Sequence, residues 1–405
     1  MKEGSTLYDV AVIGGGIVGL SCAAAIVAGN SDVRIAVLEK EDSWASHQTG
    51  RNSGVIHSGI YYKPGSRKAQ FARAGSQSMA DFCRSNRIEY EICGKVIVAT
   101  RPSQLDQLEA LYEQGRGNGL NVQKLTAKQL RQKEPYCAGI AALHVPSAGI
   151  VNYGEVCDVL VDQLGAANAD LLLNQRVRKI VVGNRTKLVT DTDTVHCSYV
   201  VNCAGLHSDR VARLDATRQT SGVDDGFRIV PFRGEYYQLK ASRSYLVNNL
   251  IYPVPNPDFP FLGVHFTRMI DGHIEAGPNA VLATKREGYN KSDINIRDIA
   301  DTFGFPGFWK LAAAHWREGG QEMLRSASKR AFTKSLQELI PDVEASDLVK
   351  APAGVRAQAL RRDGTLEDDF QVTQTPHSLH VGNAPSPAAT ASLEIGTYIA
   401  SHLKT

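Results

Sequence analysis

Long apolar runs are missing from this 405-residue sequence, and none approaches the ~20 apolar residues that a membrane-spanning helix needs. An excess of one charge is missing too. With 45 basic residues against 42 acidic ones, the balance does not ask for nucleic acid as a partner. The seven cysteines (Cys22, Cys83, Cys93, Cys137, Cys157, Cys197 and Cys203) are odd in number, scattered and never spaced C-x-x-C. That pattern excludes a disulfide framework and a zinc site, points to reduced thiols in a cytosol-like compartment, and leads us to expect no metal. Only seven residues precede the first apolar run, without the basic flank and apolar core of a signal peptide or the Arg-rich length of a transit peptide. The expectation is a cytoplasmic protein, at most peripheral on the inner face of a cell membrane. No internal repeat, low-complexity segment or linker stands out, and the length suggests two domains of ordinary size.

What is present begins at Tyr8. Tyr8 to Ile13 is an apolar strand, Gly14-Gly15-Gly16-Ile17-Val18-Gly19 supplies G-x-G-x-x-G, Leu20 to Ala28 is a helix of small apolar residues, and Val33 to Leu38 is a second strand ending in Glu39. Gly14 permits the tight turn, Gly16 lets the backbone approach a pyrophosphate, and Gly19 allows close helix–strand contact, while the helix N-terminus offers free N–H groups to phosphate. Glu39 stands at the spacing of the carboxylate that takes ribose hydroxyls. A lone glycine motif is weak, but in its full βαβ setting it predicts a dinucleotide containing ADP.

Lys40 follows Glu39, and a loop dense in glycine and small polar residues then runs from His47 to Tyr62, well suited to wrap a cofactor through its N–H groups and hydroxyls. Ser66 caps a long helix reaching Asn86. Lys95 to Thr100 reads as a strand, with helices predicted from Ser103 to about Gly115 and from Thr126 to Lys133, and a further helix from Gly154 to Ala167. Strands Leu171 to Asn174, Val177 to Val182 and His196 to Asn202 close on Cys203-Ala204-Gly205. Phe227 to Lys240 and Ile251 to Ala276 are rich in β-branched and aromatic residues and predict a larger antiparallel sheet. A helical stretch from about Ile296 to Leu339, broken near Gly304, Pro306 and Gly319-Gly320, precedes strands at Gly354 to Gln358, Phe370 to Thr373 and Leu379 to Val381. Gly382 to Ala388 then turns into the last helix. Such a turn and helix N-terminus can face a flavin edge that gains charge on reduction, and the return of nucleotide-binding pieces at the far end of the chain favours FAD over NAD.

The segments His47-Gln48-Thr49, Asn52 to Gly65, Val230 to Tyr236, Ile251 to Pro255, Pro260 to Thr267, Gly277 to Ala283, Lys285 to Tyr289, Pro352 to Ala359 and Asn383 to Thr390 together resemble the D-amino-acid oxidase superfamily of flavoproteins, and within it the L-2-hydroxyglutarate dehydrogenase/oxidase branch. The resemblance runs along essentially the whole chain, with two departures: Arg51 stands where the branch usually has His, and Arg67 where it usually has Leu. It implies an α/β fold with a Rossmann-like, discontinuous FAD-binding domain (1–90, 150–215 and 345–405) and a mixed or antiparallel β-sheet substrate domain (91–149 and 216–344). It further implies oxidation of L-2-hydroxyglutarate to 2-oxoglutarate, with electrons passing through FAD to a quinone or dioxygen. FAD is expected at Gly14, Gly16, Ile17, Val18, Gly19, Glu39, Lys40, Thr49, Asn52, Ser53, Gly54, Val177, Ala204, Gly205, Gly354, Asn383, Ala384, Pro385 and Ser386. Noncovalent binding is expected, with His47 and His57 the conceivable attachment points.

A substrate with two carboxylates calls for two cations, preferably arginines with their planar fork. Arg356 is similar in placement to the arginine that holds the α-carboxylate in related amino-acid oxidases. For the distal carboxylate Arg233, Arg286, Lys285 and Arg51 stand open. Removal of the hydroxyl proton needs a base, for which His57 and His265 are the candidates, with Tyr252 to orient the substrate. Two other classes remain in view: a relative that oxidises an amine, and a flavin-binding protein whose role is electron delivery or membrane docking.

Overall fold

The computed structural model describes residues 7–183, 185–220, 226–256 and 262–403. Pro260 and Phe261 of the segment compared above lie outside them. Among the described residues the strands form one eight-stranded, one nine-stranded and one three-stranded sheet.

The eight-stranded sheet grows from the strand Leu7–Ile13, which pairs in parallel with Ile35–Leu38 on one side and Thr194–Asn202 on the other. Ile35–Leu38 carries Asp170–Leu172 in parallel beyond it, while Thr194–Asn202 pairs in parallel with Ser378–Asn383 from the far end of the chain. An antiparallel ribbon of Val177–Val181 and Thr186–Thr190 extends the Thr194–Asn202 edge. Parallel strands covered on both faces need continuous apolar runs, and Ile35–Leu38 is buried at every position. The helix Ile17–Gly29 packs against Tyr153–Ala166 and Ser392–Ala400 over a core that includes Val10, Leu20, Val37, Cys157 and Ile395. Its approach to the last helix is so close that a Cβ on Gly396 would overlap the Ser21 carbonyl. Small residues in both helices are what allow this contact.

In the nine-stranded sheet Phe227–Leu239 is paired with Ile274–Leu282 along one edge, and Ile274–Leu282 leads on through His265–Arg268 and Leu250–Pro253 to Lys95–Ala99. Ala141–Val145 and Gln123–Thr126 continue the sheet beyond Lys95–Ala99. Along its other edge Phe227–Leu239 takes Gly354–Arg361 and Leu348–Lys350. These last two strands fall inside the third FAD-domain piece as divided from the sequence, yet their hydrogen bonds are made in the other sheet. The eight-residue register from Phe227↔Arg361 to Gly234↔Gly354 is what carries Arg356 across.

The long helical stretch resolves into Ile296–Phe303, Pro306–Ala314, Trp316–Ala327 and Lys329–Gln337. Gly319-Gly320 do not break it, although each glycine costs a helix interior about 1 kcal/mol. The breaks come instead at His315 and at Ser328, whose hydroxyl accepts from Ala331 N and starts a new helix. The last helix likewise begins at Ser392, four residues beyond Ala388, so Gly382 to Ala388 is a turn in its own right. No helix among the described residues is long and apolar enough to cross a membrane.

Candidate active site

The glycine turn has the geometry its spacing calls for. Gly14 sits at φ +113°, where a Cβ would overlap the Cys203 carbonyl, and a Cβ on Gly19 would overlap the carbonyl of Gly14. A Cβ on Gly16 would meet only the Thr49 hydroxyl, at 3.2 Å, so that position faces open space beside a loop rather than a packed wall. Thr49 Oγ1 accepts from Ile17 N at 3.1 Å and ties the loop to the helix start. Glu39 accepts from Gly15 N at 2.8 Å and from Glu41 N at 3.0 Å, which turns the carboxylate toward the turn and leaves it lone pairs for further donors.

Of the residues expected at the cofactor, all but Gly19 and Gly54 line a single cavity of about 1080 Å³. That exceeds the ~300–1,000 Å³ of an ordinary small-ligand pocket, so one elongated ligand and a small one fit together. Gly19 acts through helix packing. Gly54, at φ +61°, accepts from Val151 N and has no room for a Cβ beside the Val151 carbonyl; it joins the loop to the three-stranded sheet instead of facing the cavity. At the rim, Lys40 reaches Glu287 at 2.6 Å and also contacts Glu41 and His47. Glu41, His47 and Glu287 present ligand atoms close enough to share a cation, and the Lys40 ammonium already serves as one. Burial alone would raise the Glu287 carboxyl; hydrogen bonds from His207 and Lys40 more than reverse this and hold it low.

At the other end of the cavity His57, Tyr252, His265 and Arg356, the four expected catalytic residues, share one wall region with Tyr61, Tyr62 and Tyr236. His265 Nδ1 lies 2.8 Å from the Gly263 carbonyl. A carbonyl only accepts, so Nδ1 carries the proton and Nε2 keeps its lone pair free. The Tyr252 ring stacks on His265 with centroids 3.9 Å apart. Burial, seconded for His265 by the Arg356 charge and for His57 by that of Lys95, pushes both imidazoles down to about 3. Both are therefore neutral near pH 7, the form a proton acceptor requires. Burial raises the Tyr236 phenol to about 12 despite the adjoining Arg356, to which it is hydrogen-bonded, so it stays protonated beside that guanidinium.

Two of the cations expected at a distal carboxylate are elsewhere. Arg286 is 1% exposed and grips Asp209 with both terminal nitrogens while donating to the Leu206 carbonyl. Arg233 pairs with Glu235 at 2.9 Å and donates to the Asn290 carbonyl. Neither lines the cavity, since each charge is consumed by a carboxylate that sequence spacing does not reveal. Lys285 does not line it either. Arg51 does, from the loop, with its guanidinium 4.0 Å over the Tyr289 ring. His47 is engaged by Glu41 and by the Tyr289 hydroxyl. Sequence reasoning passed over Tyr61, Tyr62 and Tyr236 as site residues, although all three stand in the compared segments, and over Lys95, treated below.

The shape and donor set fit a flavin dinucleotide. Gly16 opens the backbone to a phosphate, Glu39 faces the same side, and Asn383 Oδ1 is buried without a partner among the described residues on the turn that lines the far part of the cavity. A family model described as FAD dependent oxidoreductase matches residues 9–402. The chain belongs to this family. As an FAD-dependent oxidoreductase it is 50% identical, over 96% of its length and 97% of the relative's, to a protein of Indibacter alkaliphilus named L-2-hydroxyglutarate dehydrogenase. It is 43% identical to the Escherichia coli K12 protein of that name over 98% of this chain and 94% of the relative, and 43% identical to the human mitochondrial one over 98% and 89%. Among solved structures, FAD-bound L-alpha-glycerophosphate oxidase from Mycoplasma pneumoniae superposes with a TM-score of 0.78 over 98% of this chain and 96% of that one, at 20% identity. Glycine oxidase from Geobacillus kaustophilus gives 0.71 over 98% and 96%, at 18% identity. At these identities the two structures speak for the FAD-binding fold, not for the reaction.

Proposed function

We propose that this oxidoreductase converts the secondary alcohol of L-2-hydroxyglutarate to the ketone of 2-oxoglutarate. The reading is carried by the near-full-length likeness to relatives named for that reaction. It draws further support from Arg356 and two neutral histidines facing one cavity with the glycine turn. In this reading residues 1–90, 150–215 and 345–405 serve the cofactor, with the strand at Arg356 reaching into the substrate side, and 91–149 and 216–344 serve the substrate.

FAD, when bound, would supply the two-electron acceptor for the hydride of the alcohol carbon. The chain's own residues do the rest. The turn at Gly14 and Gly16 would hold the pyrophosphate, Glu39 the ribose, Val177 the adenine side, and Asn383 to Ser386 the flavin edge. Arg356 pairs through its fork with the carboxylate next to the alcohol, which fixes the hydroxyl relative to the wall. His265 Nε2 takes the hydroxyl proton as the hydride departs, while its Nδ1 stays on Gly263 and Tyr252 holds the ring plane. The bound carboxylates raise the basicity of this imidazole at the moment it is needed. His57 is the second base in reach of the cavity. The final acceptor in this reading is a quinone or dioxygen. The word dehydrogenase in the relatives' names favours the quinone, which asks for no more than peripheral contact with a membrane.

Turnover with a soluble dye as acceptor tests the reading. Stoichiometric 2-oxoglutarate from the L-enantiomer, with the D-enantiomer, L-lactate, glycine and sarcosine inert, is the expected result. Oxidation of an amine in place of the hydroxy acid would transfer the protein to the amine-oxidising class.

A further inference from the structure

Lys95 opens the strand Lys95–Ala99 and is 1% exposed. Three other buried cations have a carboxylate among the described residues: Arg286 has Asp209, Arg233 has Glu235 and Lys68 has Asp368. Lys95 has no ion pair among the described residues. Its ammonium instead lies 4.4 Å from the ring centroid of Tyr61 and 4.8 Å from that of Tyr252. Those two faces return less than desolvating an ammonium costs. Burial draws this ammonium down to about 7, as expected for a charge held away from water without a counter-ion.

Both rings line the cavity, and Tyr252 is the one stacked on His265. The Tyr61 hydroxyl is buried with no hydrogen-bond partner among the described residues, an unused donor beside an unneutralised cation. In the sheet, the strand of His265 has Leu250–Pro253 and then Lys95–Ala99 to one side, and Ile274–Leu282, Phe227–Leu239 and Gly354–Arg361 to the other. Lys95 and Arg356 thus approach His265 from opposite directions.

We propose that Lys95 and Tyr61 form the subsite for the substrate's second carboxylate: the Tyr61 hydroxyl donates to it, and the ammonium behind the Tyr61 and Tyr252 rings is its counter-charge. Lys95 is thereby a specificity-determining positioning residue, acting through the two tyrosines, and it fills the place for which Arg233 and Arg286 are already spent. The inference rests on the reading of the substrate as a dicarboxylate.

The test compares ligands that differ only in the distal carboxylate. In the holoenzyme, binding of 2-oxoglutarate and of 2-oxopentanoate is followed by perturbation of the flavin spectrum, and kcat/KM is measured for the matching L-2-hydroxy acids. Wild type should favour the dicarboxylate. Lys95→Met should weaken 2-oxoglutarate by about 30-fold or more and leave 2-oxopentanoate within about threefold, with Lys95→Arg recovering much of the loss. Tyr61→Phe, which removes one oxygen, covers the case in which Lys95→Met fails to fold; it should cost about tenfold on the dicarboxylate alone. Equal losses on both ligands, or an undiminished preference in these variants, would overturn the subsite. A wild-type enzyme with no preference for the dicarboxylate would remove the substrate reading and the subsite together.

Discussion

Arg356, which lines the cavity, is the residue on which recognition depends most in the proposed reaction. Truncation to alanine withdraws a charge-assisted pair from a buried anion, a loss of about 2–5 kcal/mol. Arg356→Ala should therefore lower kcat/KM about 10²- to 10³-fold with FAD retained, as steady-state rates and the flavin spectrum of the same preparation will show. Retained FAD with lost turnover would also set aside a role limited to electron delivery. For the base, the sign of the pH dependence follows from burial. His265 is held down to about 3, so in the free enzyme it is already deprotonated through the range where an ordinary histidine titrates. The kcat/KM profile should show no acid limb near pH 6.5, whereas kcat, which reports the complex, should carry its limb at higher pH because bound carboxylates raise the imidazole. A kcat/KM limb at 6.5 would count against His265. The paired cations were the least legible part of the site. Arg286 and Arg233 are visible as charges in the sequence, but Arg286 meets a carboxylate 77 residues away, a distance that no local pattern encodes. Lys95 fails in the opposite direction: a lysine heading an apolar strand reads as its solvated end, while the fold buries it under two tyrosines. Arg286→Met should accordingly cost stability, about 3 kcal/mol, because the buried Asp209 is left with only the more exposed Arg213 and the Ile229 N–H, while the folded fraction keeps its KM.

At the level of elements, the turn from Leu7–Ile13 into Ile17–Gly29 separates packing from ligand approach. A methyl at Gly19 has to displace a backbone carbonyl, so Gly19→Ala should lower the melting temperature of the apoprotein by the equivalent of about 1–3 kcal/mol. A methyl at Gly16 meets only the Thr49 hydroxyl, so Gly16→Ala should leave the apoprotein's melting temperature nearly unchanged and release FAD more easily. Calorimetry of apoprotein and a flavin-retention assay distinguish the two. This element was readable because strand, glycines, helix and acid are contiguous and each has one physical job. The helical stretch was less so, since Gly319-Gly320 were given weight as breakers and the Ser328 cap was not. The Ser66 cap, by contrast, falls where its side chain predicts. Ser328 has the same chemistry, but sits between two helical runs and gives no change of texture to mark it.

In the whole molecule the two ends of the chain meet at one cavity. Ser378–Asn383 inserts beside Thr194–Asn202 in the eight-stranded sheet, and Gly354–Arg361, just before it in the chain, crosses to the nine-stranded sheet. That distant pieces line one cavity was legible from the small-residue turns at Ala204-Gly205 and Gly382 to Ala388, which stand beside the glycine turn after long interruptions. The crossing was not, because a strand's sheet is chosen by its register partner, here Phe227–Leu239 more than 100 residues earlier. It bears on the proposed function, because it sets Arg356 in the nine-stranded sheet while Asn383 stays in the eight-stranded one. The most direct test of this arrangement is anaerobic mixing of the purified holoenzyme with L-2-hydroxyglutarate while the flavin band near about 450 nm is followed. Bleaching by that substrate, and not by its D-enantiomer, L-lactate, glycine or sarcosine, is the expected result. Bleaching by an amine, or by none of them with FAD demonstrably bound, would contradict the proposed reaction.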